Sequence, residues 1–245
     1  MSGALPDLGG ELPVTAGVRP PRTRLLSTGR PLAQALVRGW WDFEVNGTDR
    51  VPTSGPLVMA ANHVGWLDGP LLAICSPRPV HALTKQEMFA GPLGPFLRAS
   101  GQIELDRFRV DVAAIRSAVA ALRAGHAVGV FPEGTRGAGD MTSPRAGAAY
   151  LALVSGAPVV PVSFLGTRMP GGSDSSIPPR GSRLAMTFGD PVDLGSTPWP
   201  RTQRDVADAS AVVTAAILQT IRTAEEATGM SLPGPIGPKR EKKRA

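Results

Sequence analysis

The sequence predicts a single α/β domain with a central, largely parallel or mixed sheet flanked by helices. From residue 57 onward, short apolar runs alternate with segments of helical period. Runs such as AVGVF and PVVPVSFL are apolar throughout rather than alternating, which implies burial on both faces by covering helices. At 245 residues the chain is long enough for one domain with a substantial core.

The elements follow in order. Residues 1–30 are rich in Pro, Gly and Arg without periodicity and are expected to form an unstructured basic tail. The folded domain is expected over 31–232, and a second unstructured basic tail over 233–245. Within the domain, PLAQALVRGWWDFEV at 31–45 reads as a short helix ending near Trp40 and Trp41, then an extended piece. The tryptophan pair suits either a water–lipid boundary or packing on the core. Strands are expected at 57–61, 80–84, 102–105, 127–131, 159–164 and 183–188. Helices are expected at 67–75, 110–124, 146–154 and 202–228. Val112, Ile115, Val119 and Leu122 give the helix after residue 110 one core-facing stripe. RMPGGSDSSIPPRGS at 168–182 is a loop by every local signal.

Charge and composition exclude several classes. The formal net charge is +6, but residues 1–30 carry a net +2 and residues 238–245 a net +4, so the domain between is neutral. Basic tails suit solvent or an anionic membrane surface. With 5% aromatic residues and no stacking pattern, no nucleic acid is expected as a partner. Cys75 is the single cysteine, so an internal disulfide and a cysteine metal cage are ruled out. No cofactor or metal site is expected. No apolar run approaches the roughly 20 residues of a spanning helix, and the first residues lack the apolar core of a secretory signal. A cytoplasmic protein, associated peripherally with the inner face of the cell membrane, is the expectation. There is no GxGxxG after a strand, no phosphate-binding Walker loop, no GxSxG elbow and no HExxH.

Chemistry-bearing residues cluster at strand ends, where open sheets bind ligands. Asn62-His63-Val64-Gly65-Trp66-Leu67-Asp68 follows the strand LVMAA. A histidine and a carboxylate five residues apart, with Gly65 permitting a tight turn, can fold onto each other. The carboxylate then fixes the tautomer and leaves the other ring nitrogen as a base. Taken alone, a structural histidine or Asp68 as a helix N-cap fits this spacing equally. FPEGTR at 131–136 follows a second strand and brings Glu133, Gly134 and Arg136 beside the sheet; an ion-paired surface turn is the plainer reading. In IELDR, Arg107 suits a phosphate clamp or a solvated helix start. Lys85 stands in an equivalent place after VHALT. His81 and His126 read as structural, and Cys75 as core packing.

Taken together, NHVGWLD, IELDR, FPEGTR and the proline-containing APVVPV at 157–162 resemble the four ordered motifs of the glycerolipid acyltransferase family, which includes 1-acyl-sn-glycerol-3-phosphate (lysophosphatidic acid) acyltransferase. TKQEMFAGPLGPFLRASG at 84–101 is similar to the family's lysine-containing segment. The likeness spans roughly residues 55–170. It implies direct acyl transfer in phospholipid biosynthesis, from acyl-CoA or acyl carrier protein to a hydroxyl of a lysophospholipid, with no covalent acyl-enzyme. In this reading His63, oriented by Asp68, deprotonates the acceptor. Arg107, Arg136 and Lys85 grip its phosphate, and Glu133 and Gly134 shape the acceptor site. The sequence departs from the family where Gly65 replaces a frequent serine, and where Pro144-Arg145 replaces Phe-Lys before Gly147-Ala148-Ala149. Two other functions use the same residues: a thioesterase or lysolipid hydrolase in which water replaces the acceptor, and a non-catalytic lipid-binding module.

Overall fold

In the computed structural model, residues 13–237 are described. A seven-stranded sheet is covered by helices on both faces. The elements are α1 (Arg24–Trp40), β1 (Asp42–Asn46), β2 (Leu57–Ala61), α2 (Asp68–Cys75), β3 (Val80–Lys85), α3 (Gly94–Ala99), β4 (Ile103–Leu105), α4 (Val112–Arg123), β5 (Ala127–Val130), α5 (Gly147–Ser155), β6 (Val159–Leu165), β7 (Arg183–Phe188) and α6 (Gln203–Thr228). The strand order is β1-β7-β6-β2-β5-β3-β4. β6, β2, β5, β3 and β4 run parallel; β7 is antiparallel to β6, and β1 is parallel to β7, so the sheet is mixed.

The all-apolar strands are buried on both sides, as their composition requires. In β2, Val58 and Ala60 pack with α4, α5 and α6, whereas Leu57, Met59 and Ala61 pack with α1 and α2. This alternation follows from the two-residue period of a strand. Asp111 caps α4 by accepting from the Ala114 N–H, and Thr202 and Asp205 close a reciprocal capping box on α6.

Two boundaries differ from the sequence expectation. α1 begins at Arg24, inside the segment expected to be unstructured. Pro31, which reads like a helix start, lies within α1; the preceding turns are held by buried Leu26 and by Arg30, which donates to the carbonyls of Ile74 and Ser76. At the other end, residues 233–237 are packed against the domain: the Gly234 and Pro235 carbonyls accept from Arg168, and the Gly237 N–H donates to Gly172. Residues 1–12 and 238–245, the remainder of the two expected tails, lie outside the described residues. α3 was not expected, because Gly91, Pro92, Gly94 and Pro95 disguise a single helical turn and a half.

The parallel strands impose one consequence on function. The C-terminal ends of β2, β3, β4, β5 and β6 all lie at the same edge of the sheet, and each leads directly into one of the polar segments described above.

Candidate active site

His63 follows β2, and its Nδ1 lies 2.9 Å from Asp68 Oδ2. A carboxylate only accepts, so Nδ1 carries the proton and Nε2 is the ring nitrogen left for a substrate. Asp68 opens α2, but its carboxylate turns away from the helix to accept the N–H groups of Val64 at 2.7 Å and Gly65 at 2.8 Å. The N-cap role that the spacing also allowed is therefore not the one adopted. Asp68 is fully buried, while the His63 side chain keeps 19% of its surface exposed, enough for a substrate to reach it. The imidazole stacks on Phe131 at a centroid distance of 4.3 Å, which fixes the ring plane from the next strand.

The bend of the His63 loop depends on Gly65. A Cβ built there meets the Thr167 carbonyl oxygen at 2.3 Å, so glycine alone lets β2's exit loop lie against β6's. Thr167 Oγ1 donates to Asp68 Oδ1, and buried Arg168 donates to the Val64 carbonyl.

The loop after β5 contributes differently from what its sequence suggests. Glu133 Oε1 accepts the backbone N–H of His63 at 2.7 Å, bracing the His63 loop rather than facing solvent. Burial, with Asp140 and Asp68 adding negative charge nearby, raises the Glu133 carboxyl to about 7 against the N–H groups of His63 and Gly139, which lower it. Gly134 adopts φ 66°, a conformation that favours glycine, and its carbonyl accepts from Arg107 at 3.1 Å. Arg107 also meets Glu87 at 3.4 Å. Arg136 donates to the Asp174 carbonyl at 2.6 Å, in the loop between β6 and β7.

A cavity of about 790 Å³ opens beside His63. Lys85, Arg107, Gly134 and Arg136 line it together with Arg145, and Leu83, Leu105, Ile115 and Tyr150 give it apolar walls. Lys85 makes no ion pair among the described residues. Glu133 and Asp68 stand behind this wall. Of the residues singled out from sequence, then, His63, Lys85, Arg107, Gly134 and Arg136 share one cavity, and Asp68 and Glu133 hold His63 from behind it.

A family model described as Acyltransferase matches residues 42–165, half of the chain. The chain belongs to the acyltransferase family. Among acyltransferase relatives, it is 31% identical over 125 residues to 1-acyl-sn-glycerol-3-phosphate acyltransferase of Bacillus subtilis, covering 50% of this chain and 62% of that one. It is 34% identical over 145 residues to lyso-ornithine lipid O-acyltransferase of Pseudomonas aeruginosa, covering 55% of each. The matches thus span less than two thirds of these relatives. The crystal structure of the Thermotoga maritima 1-acyl-sn-glycerophosphate acyltransferase shares the fold, with a TM-score of 0.58, 24% identity, and coverage of 80% of this chain and 78% of that one.

Other reactive side chains stand apart from this cavity. His81 and His126 sit at the opposite end of the sheet with ring centroids 5.2 Å apart; burial lowers His81 to about 4 against its hydrogen bond to Gly101. Burial pushes the Cys75 thiol up to about 11, which leaves it unsuited to act as a nucleophile near neutral pH. Among the described residues, no cluster of three or more His, Cys, Asp or Glu could hold a metal ion. Sequence reasoning missed Thr167, Arg168 and the stack on Phe131. The one available signal was position, since Thr167 and Arg168 directly follow an apolar strand, as the other site residues do.

Proposed function

We propose that this chain transfers a fatty acyl group from the thioester of acyl-CoA or acyl carrier protein to the free hydroxyl of 1-acyl-glycerol-3-phosphate or a related lysophospholipid. The observation that carries this reading is the buried Asp68 holding His63 at the wall of a cavity that also contains Lys85, Arg107 and Arg136. A base, its orienting carboxylate and several cations suit an alcohol that bears a phosphate. The apolar walls suit an acyl chain. His63 Nε2 takes the hydroxyl proton as the oxygen attacks the thioester carbonyl; the C–S bond breaks, and the departing thiolate takes a proton to leave as the thiol.

Peripheral attachment to the inner face of the cell membrane is part of the same proposal. Leu25, Leu32, Leu36 and Trp40 form an exposed stripe along α1, while Arg30 and Gln34 on its other side bind the carbonyls that end α2. Trp41 is no part of that stripe: it packs into the core and donates to the Pro178 carbonyl. No described helix is long and apolar enough to cross a membrane.

The test is thiol release from palmitoyl-CoA and from palmitoyl-acyl carrier protein by the wild type and His63→Ala, each with and without lysophosphatidic acid. Acceptor-dependent release that disappears in the variant is expected. Equal release without acceptor would replace transfer by thioester hydrolysis, release unaffected by His63→Ala would remove His63 as the base, and no release by either protein would leave a lipid-binding module. Lyso-ornithine lipid, run beside lysophosphatidic acid, tests whether the cations select a phosphate.

A further inference from the structure

Thr167 and Arg168 sit side by side after β6, and both are buried at the back of the site. Their contacts account for the shape of both loops around His63. Thr167 Oγ1 is the donor on Asp68 Oδ1, whereas Oδ2 serves His63 Nδ1 and the N–H groups of Val64 and Gly65. The carboxylate is thus gripped at both oxygens, and rotation about its terminal bond would cost either the hydroxyl bond or the imidazole bond. Without the hydroxyl, Oδ1 would be a buried charged acceptor with no donor.

Arg168 is 1% exposed and makes no ion pair among the described residues. Instead all five N–H donors of its guanidinium meet backbone carbonyls. Nε reaches Val64, one terminal nitrogen reaches Gly172 and Pro235, and the other reaches Gly137 and Gly234. Val64 follows the base, and the Gly137 N–H donates to the His63 carbonyl at 2.8 Å. The guanidinium therefore holds the loop bearing the base and the loop after β5 in one frame. Burial lowers its pKa, and the nearby Asp68 charge works the other way.

We propose that Thr167 and Arg168 are positioning residues for the base: Thr167 fixes the Asp68 carboxylate that orients His63, and Arg168 fixes the backbone that follows His63 and the β5 loop bonded to its carbonyl. This inference deepens the acyl-transfer reading and rests on His63 being the base. Neither residue touches substrate, since neither lines the cavity.

The primary test compares full-length Thr167→Val, which keeps the side chain's shape, with Thr167→Ser, which keeps the hydroxyl. In acceptor-dependent thiol release, Thr167→Val is expected to lower kcat about 10- to 100-fold, the weight of a hydrogen bond to a charged group, with the acceptor KM little changed. Thr167→Ser is expected to recover most of that loss. The second readout needs no turnover. Nitrogen-15 shifts of the imidazoles, with His63 assigned against His63→Ala, should show a fixed Nδ1–H tautomer in the wild type and in Thr167→Ser. Thr167→Val should show a mixture. Unchanged kcat and an unchanged tautomer in Thr167→Val would overturn the proposal. So would a loss of kcat matched by a lower Tm with the tautomer still fixed. If the wild type transfers no acyl group to any acceptor, the functional reading fails on its own, and the imidazole shifts still decide what Thr167 does.

Discussion

Glu133 supports His63 through the backbone, its Oε1 accepting the histidine N–H at 2.7 Å from the far side of the base loop. Its carboxyl is raised from 4.5 to about 7, so between those values the folded protein binds a proton that the unfolded chain has released. The stability this contributes is complete below about pH 4.5 and is lost as pH rises through about 7. Glu133→Gln, which cannot ionise, should therefore gain on the wild type as pH rises from 5 to 8. Paired thermal melts across that range should show the Tm difference moving by a few degrees in favour of the variant.

Asp68→Asn replaces a pure acceptor by a group with two donors. With its oxygen facing the Val64 and Gly65 N–H groups and His63 Nδ1, the amide turns its NH2 on Thr167, whose hydroxyl must then rotate to accept. The imidazolium formed as His63 takes a proton also loses its counter-charge. A kcat loss of about 10²–10⁴-fold is expected in the thiol-release assay, the usual worth of a positioned general base.

Arg107 and Arg136 differ in how freely they can serve a substrate. Arg136 gives one bond to the Asp174 carbonyl, whereas Arg107 also holds Gly134 and Glu87. Arg136→Ala should raise the acceptor KM about tenfold or more with little change in kcat. Arg107→Ala should raise it similarly and also lower kcat, because the glycine turn after β5 loses its donor. Initial rates at varied lysophosphatidic acid, with the acyl donor saturating, separate the two.

The proposed membrane attachment is tested at two regions of the chain. Leu32→Asp with Leu36→Asp should abolish co-sedimentation with anionic vesicles while leaving turnover of a short-chain, water-soluble acceptor near wild type. Removing residues 238–245, with their net +4, should weaken vesicle binding at low salt only. Removing 233–245 should in addition lower the Tm, because Arg168 then loses the Gly234 and Pro235 carbonyls.

The strands at 57–61 and 183–188 were legible to the residue and the other four expected strands to within a residue or two, because short, mainly apolar runs between turn residues leave few alternatives, whereas β1 was legible only as an extended piece. His63, Lys85, Arg107 and Arg136 were legible as polar residues just past such runs. The start of α1 was not, because the helix before Pro31 is stabilised by docking on α2 rather than by its own pattern. Arg168 was not legible for a deeper reason. Its partners are main-chain carbonyls, which every residue possesses, so the chain holds no complementary residue type to betray the contact.

Four of the five carbonyls around Arg168 come from positions 31 to 104 residues away in the chain. A guanidinium shell gathered from such distant stretches ties them to one another, since in the folded protein a buried donor without its carbonyl is left unsatisfied. The frame around His63 is consequently complete only when the loops after β2, β5 and β6 and residues 234–235 are all in place. Loosening any one of these stretches is therefore felt at the histidine, however far along the chain it lies.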